Sequence, residues 1–189
     1  MTKWLGLISL LASTLAPGCA APPEAAEITP VHVDWPGSGP DVYQIVNFYV
    51  AGQPSEKGLV EARARGVRTV VNLRAPDEKI DFDEKKAVET LGLAYVSIPV
   101  TPQTLSDAQL EEFVTTLKAA RKQVLIHCAS GNRASALWAA YLGVNYGLEA
   151  DRAIRLAESS GLKSGDLKAF VKDYLGRRKG IKAEGENPQ

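Results

Sequence analysis

Cysteine is scarce in this sequence: among 189 residues there are only Cys19 and Cys128. A small exported domain that needs stabilisation usually pairs its cysteines in disulfides. If Cys19 is modified or removed during export, as argued below, Cys128 is the only remaining thiol and an intramolecular disulfide is excluded. An unpaired cysteine is then better explained by chemistry than by architecture, with a buried inert cysteine as the alternative.

The sequence also lacks an excess of charge of either sign, because 22 Lys and Arg residues balance 22 Asp and Glu residues. A balanced chain has no overall field that attracts nucleic acid, so no nucleic-acid partner is expected. Histidine is equally scarce, with only His32 and His127, and no group of His, Cys and Asp residues has the spacing of metal ligands. Neither a metal ion nor another cofactor is therefore expected.

The apolar run at the start of the chain is too short to span a bilayer. After Lys3, residues 4–16 are thirteen uncharged and mostly apolar residues, whereas a membrane-spanning helix needs about 20. A basic residue followed by a short apolar run is typical of a secretory signal peptide. The sequence therefore predicts export.

Cys19 indicates which kind of signal this is. A glycine followed by Cys19 at the end of the apolar run resembles a bacterial lipoprotein signal, in which the cysteine is lipidated, although Pro17 departs from that pattern. We predict a lipoprotein signal over residues 1–19 and a protein anchored through lipidated Cys19 on the periplasmic side of a bacterial membrane. Cleavage by the ordinary signal peptidase near Cys19 is the alternative; labelling by a fatty-acid analogue distinguishes the two.

The remaining chain divides by composition into three parts. Residues 20–40 are rich in Pro, Ala and Gly without periodicity, which predicts a flexible tether. Residues 41–176 have the patterns of a single α/β domain. Residues 177–189 are mostly polar and are predicted to form a disordered tail.

Within the domain, β-branched apolar runs alternate with helical patterns. Such alternation predicts βαβ units and a three-layer α/β fold, with a mainly parallel central sheet flanked by helices. Ser106 and Gln109 have the spacing of a capping box at the start of one helix. The predicted strands are VYQIVNFYVAG, VRTVVNLR, LAYVSIPV and QVLIHC, and the predicted helices are SEKGLVEARARG, DEKKAVETLG, SDAQLEEFVTTLKAARK, RASALWAAYLGVNYG and EADRAIRLAESSG.

The stretch VLIHCASGNRASALWAAYLG, residues 124–143, places Cys128 between a strand and a helix. Ligands of parallel sheets bind beyond the carboxyl ends of the strands, where the following helices begin. Gly131 tolerates a positive φ, which lets successive N–H groups turn inward and bind an anion. Arg133 adds a planar fork that matches two oxygens of an oxyanion, and these dipoles and charges also stabilise a thiolate at Cys128.

The same stretch, together with NFYVAGQPSEKGL, GVRTVVNLRAPDE and LGLAYVSIPV, resembles a known family. These are the bacterial beta-lactamase-hydrolase-like phosphatase domains, within the protein tyrosine and dual-specificity phosphatase superfamily. The resemblance covers residues 42–162. It implies a cysteine-phosphatase fold and a phosphoric monoester hydrolase acting on a phosphorylated small molecule or protein.

Carried over by position, the resemblance also implies the site residues. Cys128 is the implied nucleophile, which forms a phosphocysteine, and Arg133 is the implied phosphate-binding and transition-state-stabilising residue. Ser135 is placed to hydrogen-bond the leaving thiolate, and His127 is expected to order the loop. The backbone amides implied to bind the phosphate oxygens are those of Ala129, Ser130, Gly131, Asn132 and Arg133.

One departure from the superfamily leaves other functions open. Four residues separate Cys128 from Arg133, where the familiar phosphatase signature has five. This spacing occurs in the bacterial branch but is also typical of rhodanese-type sulfurtransferases, which would use a Cys128 persulfide. A non-catalytic module that binds phosphate is the third hypothesis.

The general acid is the second departure. In the superfamily this aspartate lies in the segment that here reads IPVTPQTLSDAQ, where Asp107 is the only acidic residue. Asp107 is the candidate general acid, but a first-turn carboxylate that interacts with the helix dipole is the simpler interpretation. Asp77 and Glu78 follow another predicted strand and form a second possibility, unless Glu78 pairs with Arg74 or Lys79.

Overall fold

The structure is a computed structural model that describes residues 28–37 and 41–185. The predicted signal peptide and the predicted lipidation of Cys19 lie outside the described residues. Among those described, no helix combines the length and apolar character needed to cross a membrane. No group of three or more His, Cys, Asp or Glu side chains in this part of the chain is arranged to hold a metal ion.

Six strands form one sheet with the spatial order β1-β2-β3-β6-β4-β5. The pairs β3/β6, β6/β4 and β4/β5 are parallel, and β1/β2 and β2/β3 are antiparallel. The strands are β1 Val31–Val33, β2 Val42–Ile45, β3 Phe48–Ala51, β4 Thr69–Asn72, β5 Ala94–Ser97 and β6 Val124–His127, and the helices are α1 Glu56–Ala64, α2 Glu84–Thr90, α3 Asp107–Ala119, α4 Asn132–Tyr146, α5 Ala150–Glu158 and α6 Gly165–Gly185.

Alternate residues of the central strands face opposite layers of helices, as the period of a strand requires. Val50, Val71 and Ile126 pack into one core cluster with residues of α3, α4 and α6. Tyr49, Val70 and Leu125, each one residue away, pack into a second cluster with residues of α1 and α2. The predicted three-layer α/β fold is confirmed.

Several predicted boundaries are also confirmed. Ser106 is the N-cap of α3, and the capping box with Gln109 is present. Gly131 precedes α4 with φ +87°, and Gly147 follows it with φ +67°. These are left-handed conformations that glycine adopts without steric cost.

The single strand predicted over residues 42–52 is wrong. The segment forms a hairpin in which Ile45 pairs with Phe48, and the turn between them places Val46 at φ +51°. Two-residue hairpin turns favour Asn-Gly or Asp-Gly because they need positive φ. Val46-Asn47 lacks that signal, so the sequence pattern runs through the turn without a break.

The predicted tether needs correction where the structure describes it. Residues 31–33 form β1, which pairs with β2 at the sheet edge. Ile28 and Trp35 are only 2% and 5% exposed, and the Trp35 indole N–H donates to the carbonyl of Gly58 at 3.0 Å. Burial of these two apolar side chains stabilises a segment whose composition alone indicates flexibility.

The predicted disordered tail is likewise wrong for residues 177–185, which continue α6. Four buried residues of this helix, Leu167, Val171, Tyr174 and Leu175, follow helical spacing. Two arginines beyond them bind α3: Arg177 contacts Asp107, and Arg178 contacts Glu111. Packing and ion pairs therefore extend the helix past its apolar stripe.

Candidate active site

Three strand ends place Cys128 at the centre of one sheet edge. His127, the last residue of β6, is in register with Ala51 at the end of β3 and with Asn72 at the end of β4. Cys128 follows directly and is fully buried. It therefore occupies the position at which parallel sheets bind their ligands.

Backbone hydrogen bonds join Cys128 and the residue after it to the end of β3 and the residues that follow. The Cys128 N–H donates to the Ala51 carbonyl at 3.4 Å, and the Gln53 N–H donates to the Ala129 carbonyl at 3.2 Å. The Gly131 N–H turns inward and donates to the Cys128 sulfur at 3.2 Å. An inward N–H and the start of α4 together stabilise negative charge at this sulfur.

The Arg133 guanidinium is held on the other side of the loop by a carboxylate. Its Nη1 and Nη2 atoms donate to the two oxygens of Glu78 at 2.5 and 2.7 Å. Nη1 also donates to the Val100 carbonyl at 2.8 Å. Hydrogen bonding to Glu78 raises the pKa of Arg133 against the effect of burial, and negative charge at Cys128 raises it further. Arg133 and Cys128 thus lie at the two ends of one loop and interact electrostatically.

Glu78 binds Arg133 through both carboxylate oxygens, which is not the arrangement of a general acid. Hydrogen bonding to Arg133 is the main cause that lowers the pKa of Glu78 from 4.5 to about 2. A carboxyl group with this pKa is ionised at neutral pH and has no proton to give. Arg74 lies at 3.6 Å and is a secondary partner, while Asp77 is exposed.

If the site hydrolyses phosphate monoesters, as the resemblance implies, Glu78→Gln should lower kcat/KM for an aryl phosphate about ten- to a hundredfold, because Arg133 loses a charged bidentate partner. The depressed pKa also means that the ion pair stabilises the fold above pH 4.5 and is lost as the pH falls towards 2. As the pH falls from 4.5 towards 2, the melting temperature of wild type should therefore decrease more than that of Glu78→Gln. Glu61→Gln, which breaks the Glu61–Arg65 pair on α1, is the matched control.

Asp107 has a structural partner outside the loop. Its carboxylate accepts from Arg177 Nη2 at 2.7 Å and from Arg177 Nε at 3.3 Å. About half of each side chain is exposed. This arrangement supports the interpretation of Asp107 as a first-turn carboxylate that joins α3 to α6.

Two side chains of the predicted site fasten α4 to the segment that precedes α6. The buried Ser135 hydroxyl donates to the Ser160 carbonyl at 2.7 Å. Asn132 Oδ1 accepts from the N–H groups of Lys163 and Ser164 at 2.8 and 3.2 Å. Because the single proton of Ser135 is used here, its implied hydrogen bond to the cysteine sulfur is absent from this arrangement.

A buried carboxylate that the sequence does not reveal lies behind the loop. Glu84, the first residue of α2, is 3% exposed, and its Oε1 lies 3.3 Å from Nε2 of the fully buried His127. The imidazole thus contacts a carboxylate of α2, and among the described residues no hydrogen bond joins its ring to the loop, so the ordering role of His127 stays a prediction. Glu84 was missed because it lies in a charged helical pattern, DEKKAVE, that is typical of an exposed helix face.

Two cavities flank the site. One, of about 250 Å³, is lined by Ser130 and Asn132 of the loop together with Asp41, Tyr43, Glu158, Gly161 and Lys163. The other, of about 600 Å³, includes Gln53 and Arg74 in its lining. Of these two cavities, only the smaller one is lined by residues of the loop itself.

Comparison with known proteins identifies the family. Residues 41–143 match the family described as beta-lactamase hydrolase-like protein, phosphatase-like domain. The match covers more than half of the chain, which therefore belongs to this family and confirms the resemblance noted in the sequence.

Curated relatives are similar over part of their length. A beta-lactamase hydrolase-like protein of Xylella fastidiosa is 28% identical over 127 residues, which are 65% of this chain and 30% of the relative. Another from Agrobacterium fabrum is 30% identical over 93 residues, 47% of this chain and 22% of the relative. The chain thus spans less than a third of the relatives it matches.

Solved structures share the fold. TpbA of P. aeruginosa in complex with pTyr has a TM-score of 0.67 at 20% identity, covering 84% of this chain and 99% of TpbA. Tk-PTP in its active form has a TM-score of 0.61 at 24% identity, covering 77% and 99%. PTPMT1 in complex with PI(5)P has a TM-score of 0.62 at 17% identity, covering 72% and 94%. At these identities the likeness establishes the fold alone.

Proposed function

We propose that this protein is a cysteine-dependent phosphatase that hydrolyses a phosphate monoester through a phosphocysteine intermediate. The observation that carries the proposal is the placement of Cys128 and Arg133 around one loop, with the Gly131 N–H at 3.2 Å from the sulfur and Glu78 holding the guanidinium. The pTyr and PI(5)P bound to TpbA and PTPMT1 contain phosphate monoesters, which supports this substrate class.

The first chemical step transfers the phosphoryl group to sulfur. The Cys128 thiolate attacks phosphorus with its lone pair, an S–P bond forms, and the P–O bond breaks towards the leaving oxygen. Arg133, the inward N–H of Gly131 and the neighbouring backbone amides of the loop bind the remaining phosphate oxygens and stabilise their charge. In the second step water attacks phosphorus, the S–P bond breaks, and inorganic phosphate and the thiolate are released.

We test this proposal by assaying the wild-type chain for two products, phosphate from an aryl phosphate and thiocyanate from thiosulfate and cyanide. Phosphate release that stops after alkylation of Cys128 is expected. Thiocyanate without phosphate would assign a sulfurtransferase that uses a persulfide, in keeping with the four-residue spacing. Phosphate binding without either product would indicate a binding module.

Protonation of the leaving group sets the substrate preference that we expect. Glu78 is held ionised by Arg133 and Asp107 is bound to Arg177, so neither is placed to supply a proton. Turnover should therefore be fast for activated aryl phosphates and fall steeply as the pKa of the leaving alcohol rises. The slope of log kcat/KM against that pKa, measured over a series of aryl and alkyl phosphates, checks this.

Asp107→Asn should leave kcat/KM nearly unchanged on both aryl and alkyl phosphates, because its partner is a half-exposed arginine and such pairs contribute little to stability. Loss of a general acid costs about 10²–10⁴ in rate. A loss of that size on an alkyl phosphate would identify Asp107 as the acid after all.

A further inference from the structure

Glu84 lies at the centre of a buried polar cluster behind the loop. Its Oε1 accepts from Gln53 Nε2 at 2.6 Å, and its Oε2 accepts from Asn72 Nδ2 at 2.6 Å and from the Tyr95 hydroxyl at 3.2 Å. The fourth neighbour is His127, at 3.3 Å. Burial raises the pKa of Glu84, but His127, Gln53 and Tyr95 lower it more, so the net shift is downward. The carboxylate is therefore ionised and well satisfied in its buried position.

Two of these donors also contact Arg74. Gln53 Oε1 accepts from Arg74 Nη1 at 2.6 Å, and Asn72 Oδ1 accepts from the Arg74 backbone N–H at 2.7 Å. An amide side chain has a donor end and an acceptor end, whereas a carboxylate only accepts and a guanidinium only donates. With Glu84 on one side and Arg74 on the other, both amides have a single consistent orientation.

Arg74 connects the Glu84 cluster to Glu78, the residue that binds Arg133. Its Nη2 donates to the Lys79 carbonyl at 2.8 Å, and its Nε lies 3.6 Å from Glu78 Oε2. The same Glu78 carboxylate holds Arg133 at 2.5 and 2.7 Å. Arg74 and Arg133 thus share one carboxylate, and charge alternates from Glu84 through Arg74 and Glu78 to Arg133.

We propose that Glu84 is a positioning residue for the phosphate-binding arginine, acting through Gln53, Asn72, Arg74 and Glu78. This inference rests on the proposed function, because the group it positions is the phosphate-binding group. The negative charge of Glu84 matters as well as the shape of its side chain. In Glu84→Gln, the new side-chain NH2 faces either Gln53 or Asn72. The amide that it faces must flip to offer its oxygen, and the NH2 of that amide then faces an N–H group of Arg74.

The test uses Gln53→Met as its main variant. Gln53 is only partly buried, so the substitution breaks the link to Arg74 at little risk to folding. We expect inorganic phosphate, titrated calorimetrically into the full chain, to bind Gln53→Met about three- to tenfold more weakly than wild type, with Glu84→Gln weaker still. For hydrolysis of an aryl phosphate, kcat/KM should fall by at least the same factor.

Two controls separate positioning from stability. Glu89→Gln changes an exposed carboxylate on the same helix, which pairs with Lys85, and should alter neither binding nor melting temperature. Tyr95→Phe removes a different donor to Glu84; the Tyr95 hydroxyl also accepts from Asn72 Nδ2 at 2.9 Å, but among the hydrogen bonds of the described residues it has no contact with Arg74. It should lower the melting temperature and leave the phosphate Kd unchanged.

The outcomes distinguish this inference from the proposed function. Weaker phosphate binding in Gln53→Met but not in Tyr95→Phe supports positioning, whether or not wild type turns substrate over. Equal Kd values in wild type, Gln53→Met and Glu84→Gln overturn the inference and leave the phosphatase proposal intact. A shift of equal size in Tyr95→Phe also overturns it, because the cluster then acts only through stability. Failure of wild type to bind phosphate overturns the inference, while the phosphatase proposal is decided separately by whether wild type releases phosphate from the aryl phosphate.

Discussion

Replacing Cys128 with serine is expected to abolish phosphate release, by about 10⁴-fold or more, while phosphate binding survives. A serine hydroxyl is a far weaker nucleophile than a thiolate at neutral pH, and the step it must perform is attack on phosphorus. The Gly131 N–H that donates to the sulfur is able to donate to a hydroxyl oxygen as well. The loop and Arg133 should therefore keep their geometry in the variant.

The measurement pairs steady-state turnover of an aryl phosphate with calorimetric titration of inorganic phosphate. We expect loss of the first and a Kd within about threefold of wild type for the second. If Cys128→Ser kept turnover within an order of magnitude of wild type, the cysteine would be a buried structural residue and the account of the site would be wrong. Unchanged melting temperature shows that the loss is chemical.

Replacing Arg133 with lysine is expected to lower kcat/KM by about 10²–10³-fold, even though the positive charge remains. The guanidinium uses both terminal nitrogens on Glu78 and a further bond to Val100. Lysine has one nitrogen and no planar fork, so it cannot be held by Glu78 and face the phosphate oxygens in the same way. Both KM and kcat should change, because the guanidinium binds the phosphate oxygens in the ground state and the equatorial oxygens of the transferring group in the transition state.

Arg177→Lys is the matched control for this substitution. Arg177 also binds a carboxylate with two nitrogens, that of Asp107, but it lies half-exposed on α6. The same change of residue type should cost little stability there and leave kcat/KM unaltered. An Arg133→Lys enzyme as active as Arg177→Lys would show that the guanidinium geometry is unimportant to the reaction.

The local features of this fold could be predicted from the sequence. The capping box at Ser106 and the apolar strand that ends at His127 are set by short-range chemistry, and the structure has them where the sequence indicates. The loop from Cys128 to Arg133 could be placed for the same reason. Its glycine and its position between strand and helix are properties of a few neighbouring residues.

Features that depend on distant partners could not be predicted. Residues 31–33 form a strand because β2 lies beside them, and α6 extends to residue 185 with Arg177 and Arg178 bound to α3. Around both segments the sequence has no regular spacing of apolar residues that would predict a strand or a helix. In such segments tertiary contacts decide the structure against local composition.

The same limit applies to the site. The bond between Glu78 and Arg133 joins residues 55 positions apart, and Glu84 reaches His127 from another element. In the sequence both glutamates lie in charged stretches that resemble solvated turns or helix faces. Only the sheet topology shows that the ends of β3, β4 and β6 meet and bring these carboxylates behind one loop.

If phosphate passes through Cys128, the phosphocysteine intermediate can be trapped during turnover. Wild-type protein mixed with an aryl phosphate is quenched in acid within one turnover, digested, and analysed by mass spectrometry for the peptide that contains Cys128. We expect a phosphoryl group on the Cys128 sulfur that is absent without substrate. Phosphate released at full rate, with Cys128 unmodified at every quench time, would contradict it.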